Sequence, residues 1–108
     1  MTLKEQINSD VKDALKSGDA LKRSVLNMLK AAIANKEIEK RKKEEGLSES
    51  ETQEVIRSEI KKRMDSVAAF RTAGDEARAK GEESEAVILK KYLPPDATDE
   101  EIKSAVEK

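Results

Sequence analysis

The middle of the chain reads Lys36-Glu37-Ile38-Glu39-Lys40-Arg41-Lys42-Lys43-Glu44-Glu45-Gly46-Leu47-Ser48-Glu49-Ser50-Glu51-Thr52-Gln53-Glu54. Only Ile38 and Leu47 are large and apolar, yet the stretch reads as helix, turn, helix. Gly46 suits the left-handed position that ends a helix. Ser48 and Glu51 form a capping box, in which the hydroxyl accepts from a free backbone N–H and the carboxylate reaches back to the cap residue. Each flanking helix extends for roughly 25 residues, about 37 Å at 1.5 Å per residue. The pair therefore reads as a long central hairpin that packs at its base, with a tip charged on all faces and projecting into solvent. Ion pairs at i, i+4, such as Glu37–Arg41 and Glu39–Lys43, would hold that tip helical. The tip reads either as a frayed hairpin end or as an arm that reaches a partner.

The same punctuation continues outward. Thr2 with Glu5 and Thr98 with Glu101 are further capping boxes. Asp19 and Asp75 each follow a glycine and suit helix N-caps. Pro94-Pro95 stops the chain after Leu93. Five helices follow. The first, about Leu3 to Ser17, carries Leu3, Ile7, Val11 and Leu15 as an apolar stripe. The second, from near Ala20, places Leu21, Val25, Met28, Leu29, Ala32 and Ile33 on its inner face. The third, from Glu49, carries Val55, Ile56, Ile60, Met64, Val67 and Phe70. The fourth, from Glu76, opens on small residues and ends on Val87, Ile88, Leu89, Tyr92 and Leu93. The fifth, from Asp99, has only Ile102, Ala105 and Val106. No segment alternates with period two, so strands are not expected. The fold class is all-α, a helical bundle with a long central hairpin. Residues 1–93 form the main domain, and 94–108 a linker and the first helix of an incomplete tail domain.

Composition narrows the chemistry. The chain has 108 residues, no His, no Cys and no Trp; 42 % are charged and 2 % aromatic. A typical zinc site, a cysteine nucleophile, a Ser-His-Asp triad and a disulfide framework are all excluded. Lys and Arg number 22 against 23 Asp and Glu, a net charge of -1, so no global field draws the chain to a polyanion. Its longest apolar runs, such as Ala31–Ala34, are too short to cross a membrane. The expected location is the cytoplasm.

The acid–base candidates are carboxylates, Lys and Tyr92. Glu82, Glu83 and Glu85 cluster on the fourth helix, in a chain where a solvated acidic face is the simpler reading. No Gly-rich phosphate cradle occurs. No catalytic residue, cofactor or metal is assigned. Basic residues concentrate in two places. Lys40-Arg41-Lys42-Lys43 is offset by Glu44-Glu45. Arg57, Lys61 and Lys62, with Arg71 beyond, are joined across the hairpin by Lys22, Arg23 and Lys30, and together they would line a groove for phosphates. A solvated helix face fits the same pattern. The scarcity of aromatic rings argues against stacking on unpaired bases and leaves recognition of folded RNA by backbone or shape. Arg63, at the edge of the apolar stripe, either snorkels or forms a structural ion pair with Glu82 or Glu85.

Several of these segments together carry a resemblance. Leu29-Lys30-Ala31-Ala32-Ile33 with Glu37-Ile38, Ile60-Lys61-Lys62-Arg63-Met64-Asp65-Ser66 with Phe70, Ala73-Gly74-Asp75, Glu82, Glu85 and Ile88-Leu89-Lys90-Lys91-Tyr92-Leu93-Pro94 resemble the GatB/YqeY family across nearly the whole chain. The resemblance implies a stand-alone relative of the carboxy-terminal region of the GatB subunit. That subunit belongs to the amidotransferase that converts Glu-tRNA(Gln) or Asp-tRNA(Asn) to the amide with glutamine nitrogen. It implies an all-helical first domain, a small helical tail domain, contact with tRNA and no chemistry of its own. Family members are labelled carbon–nitrogen ligases with glutamine as amido donor through homology alone.

Two departures stand out. The chain holds only the first helix of the tail, and Asp75 occupies a position that is usually basic in the family. The expected role is a non-catalytic, tRNA-associated accessory module, with tRNA, amidotransferase subunits or another protein as partners and neither membrane nor DNA. The alternative is a protein-interaction module acting through the charged hairpin, without RNA.

Overall fold

The structure, a computed structural model, describes residues 2–41 and 44–94. Among them are four helices and no strand: α1 (Leu3–Ser17), α2 (Ala20–Glu39), α3 (Glu49–Thr72) and α4 (Glu76–Lys90). The fold class is all-α, as the periodicity predicts. The fifth helix expected from Asp99, and with it the tail domain, lies outside the described residues.

The chain divides into two compact units, Met1–Val55 and Ile56–Lys108, with the division inside α3. Each contains a helix–helix junction of the same construction. In the first, Gly18 adopts φ 75° and the Asp19 amide donates to the Ala14 carbonyl at 2.9 Å. In the second, Gly74 adopts φ 78° and the Asp75 amide donates to Phe70 at 2.8 Å. A side chain in that left-handed conformation would be strained, which is why glycine stands there. The aspartate that follows then caps the next helix, Asp19 accepting from the Lys22 amide and Asp75 from the Arg78 amide, both at 3.1 Å. One dipeptide thus ends one helix and starts the next.

In the first unit, α1 packs along α2. The buried residues are Ile7 and Ala14 on α1 and Val25, Leu26, Leu29 and Ile33 on α2. The expected stripe fails at one end, because Leu15 is 60 % exposed. Residues spaced four apart advance 40° per step around a 3.6-residue helix, so the row Leu3-Ile7-Val11-Leu15 drifts off the buried face, and Ala14 closes it instead. Leu21 and Met28 likewise stay about half exposed on α2, while Leu26 is fully buried.

In the second unit, Ile56, Ile60 and Val67 of α3 are buried, as are Ala79, Ala86 and Leu89 of α4, followed by Tyr92 and Leu93. Phe70 and Met64 are half-buried and Val87 is exposed.

The expected free tip needs correction. α2 ends at Glu39 and Arg41 takes φ 58°, so the helical spacing for a Glu37–Arg41 pair is absent. Glu37 is buried and instead accepts from Lys4 Nζ of α1 at 2.8 Å. The Leu3 amide donates to Glu49 Oε1 at 3.0 Å, and Lys40 pairs with Glu51 at 2.9 Å. The start of α1 is therefore tied to the turn between α2 and α3. The Glu39–Lys43 pair falls on a residue outside the described set; Glu39 is held by Lys36 at 3.2 Å.

Candidate nucleic-acid interface

The basic residues singled out from the sequence divide between the two units. Lys22, Arg23 and Lys30 belong to the first. Arg57, Lys61, Lys62 and Arg71 belong to the second, together with Arg63.

In the second unit, most of these cations face carboxylates. Arg71 donates through Nε to Glu76 Oε2 at 3.0 Å and through Nη2 to Glu83. The hydrogen bond from Arg71 pulls the Glu76 carboxyl below its usual range, and the same bond raises the guanidinium. Lys61 pairs with Asp65 and Lys62 with Glu59, each at 3.1 Å. Arg63 is buried, with Nη1 3.7 Å from Glu59 Oε1 and Nη2 3.7 Å from Glu85 Oε1. Glu82 is half-buried one turn before Glu85, on the same helix. Two of the three clustered acids, Glu83 and Glu85, are therefore engaged by arginines. Arg78 lies 5.9 Å over the Phe70 ring, a cation–π contact at the α3–α4 junction.

The first unit is different. From Ala20 to Lys36 the chain carries Lys22, Arg23, Lys30 and Lys36 and no Asp or Glu, its longest acid-free run. All of that run lies on α2. Among the described residues, Lys22, Arg23 and Lys30 enter no ion pair. Arg23 and Lys30 are seven residues apart, so they stand on one flank of α2 about 10.5 Å apart along the axis. Beside them the exposed face carries Ser24, Asn27, Met28, Ala31, Ala34 and Asn35. Lys30 also borders a groove of about 170 Å³ between α1 and α2, whose floor is Ile7 and Ile33. The Ser and Asn side chains were not singled out by sequence reasoning, nor was the acid-free run, although the run is visible in the sequence alone. Counting basic clusters hides it, because its cations are spaced rather than adjacent.

A family model described as Yqey-like protein matches residues 4–108. The chain belongs to that family. The match runs from the second residue of α1 through the other described helices and across the segment beyond them. Among curated proteins, none matches the sequence. Membership of the Yqey-like family agrees with the resemblance carried by the Leu29–Ile33, Ile60–Ser66 and Ile88–Pro94 segments. Among the described residues no helix is long and apolar enough to cross a membrane, and no three His, Cys, Asp or Glu side chains gather as metal ligands.

Proposed function

We propose that this Yqey-like chain is a non-catalytic, tRNA-associated accessory module, related to the tRNA-binding part of the glutamine-dependent aminoacyl-tRNA amidotransferase. The observation that supports this reading is the acid-free face of α2, where Lys22, Arg23 and Lys30 stand without carboxylate partners among the described residues. A cation already held by a carboxylate must break that contact to meet a phosphate; a free one need not. Binding phosphates displaces condensed counterions and so weakens steeply with salt. Arg57, Lys61, Lys62 and Arg71 are secondary contacts in this reading, recruited at the cost of their present partners. Lys61–Asp65 and Arg71–Glu76 are exposed pairs that solvent and salt screen, so their partners exchange readily.

The test is fluorescence anisotropy of the purified chain with bulk tRNA across a salt series. Saturable binding that weakens with salt, with a log–log slope of about -0.7 to -0.9 per phosphate contact, supports the module. No binding at low salt removes it.

A second reading, a protein-interaction module acting through the charged hairpin without RNA, is favoured by Ile38. That side chain is 61 % exposed at the end of α2, beside Arg41, Glu44 and Glu45. Apolar docking there would change little with salt and would be lost in Ile38→Lys.

A further inference from the structure

We infer that α2 recognises the double-stranded part of an RNA by its A-form shape, laying its Asn27–Ala31–Asn35 face along the minor groove while Arg23 and Lys30 hold phosphates on one side. This rests on the RNA reading above and adds which feature of the RNA is read and by which residues.

Three properties of the face carry it. Its charge is one-sided: Arg23 and Lys30 share a flank two turns apart, and no carboxylate interrupts the helix between Ala20 and Lys36. Its centre is uncharged and largely polar: Ser24, Asn27 and Asn35 are exposed and each supplies both donors and acceptors, with the half-exposed Met28 side chain beside them. It offers no stacking platform. The chain has one Phe and one Tyr; Phe70 lies under Arg78 and Tyr92 is buried. Single-stranded RNA is bound largely by stacking its bases on aromatic rings. The wide, shallow A-form minor groove instead displays 2′-hydroxyls to hydrogen-bonding side chains and is reached by an exposed helix. Ala31 and Ala34 between the asparagines keep the helix surface low enough for close approach. B-form DNA lacks the 2′-hydroxyl and narrows the groove to about 6 Å, so the same face discriminates against it.

The experiment measures the affinity of the full chain for four probes at fixed low salt: bulk tRNA, an 18-base-pair RNA duplex, the DNA duplex of the same sequence, and one RNA strand alone. The expected result is that tRNA and the RNA duplex bind within a few-fold of each other, and that the DNA duplex and the single strand bind at least fivefold more weakly. Arg23→Glu with Lys30→Glu should weaken the RNA duplex at least tenfold. Asn27→Leu with Asn35→Leu should narrow the RNA-to-DNA preference at unchanged helicity by circular dichroism. Binding of tRNA without binding of the duplex overturns this inference and leaves the RNA reading standing. Equal affinity for RNA and DNA duplexes, or a duplex affinity indifferent to Arg23 and Lys30, also overturns it. Failure of all four probes to bind overturns both.

Discussion

The Gly18-Asp19 and Gly74-Asp75 junctions use the same backbone hydrogen bonds, but the side chains around them have opposite uses. After Asp19 the chain runs through α2 without an acidic residue until Glu37. Around Asp75, Arg71 bridges Glu76 and Glu83, Arg78 approaches Asp75 at 3.4 Å, and the Arg78 guanidinium covers Phe70. One junction is held by its caps, and its cations enter no ion pair among the described residues. The other is stitched by its cations, which are then no longer free. The number of basic residues near a turn therefore says little about binding; the positions of the carboxylates say more.

The sharpest way to break this contrast is at Arg63. Its buried guanidinium lies between Glu59 and Glu85, and removing one partner of a buried pair leaves charge uncompensated. Arg63→Ala should cost about 3 kcal/mol in urea unfolding and leave the tRNA affinity per folded molecule unchanged. A loss below about 0.5 kcal/mol, the ordinary range for a surface site, would mean the pair is not structural.

The charge reversal Arg23→Glu with Lys30→Glu should do the opposite. At least a tenfold loss of tRNA affinity, about 1.4 kcal/mol, is expected with little change in the urea midpoint. If stability falls instead, α2's cations belong with those of the second unit.

The two junctions should be equally sensitive to loss of their caps. Asp19→Ala and Asp75→Ala are each expected to cost about 1 kcal/mol, measured by thermal unfolding. A markedly larger cost at Asp75 would show that the Arg78 contact adds more than an exposed pair ordinarily does.

Acid should separate the junctions more gently. Glu76 is held below the usual carboxylate range by Arg71. Its contribution is therefore complete above its unfolded-state pKa and fades as pH falls through the lowered folded value. In Arg71→Gln that lowering disappears, so the fall in stability on acidification should become shallower, as followed by urea midpoints across a pH series. An identical pH profile in the variant would remove Arg71 as the cause.

Much of this architecture is legible in the sequence, because its helix boundaries are written in local chemistry. Thr2-x-x-Glu5, Ser48-x-x-Glu51 and the two Gly-Asp pairs fix the starts and stops without tertiary information, and the structure has the corresponding hydrogen bonds. What the sequence leaves open depends on contacts between distant residues. Lys4 and Glu37 are 33 positions apart, and nothing local indicates that the start of α1 reaches the α2–α3 turn. Leu15 shows the limit of periodicity: the i, i+4 rule places it on the stripe, and the drift of that row leaves it 60 % exposed. The basic residues were found by type, but which of them are engaged depends on Asp65, Glu76 and Glu83 being folded against them.

The most direct test of the free-versus-engaged contrast is a two-dimensional amide NMR titration of the uniformly labelled chain with tRNA at low salt. The account predicts the largest shifts or broadening between Arg23 and Asn35, with smaller ones at the secondary contacts Lys61 and Arg71. Perturbations centred on Arg71–Glu83, with α2 silent, would contradict it.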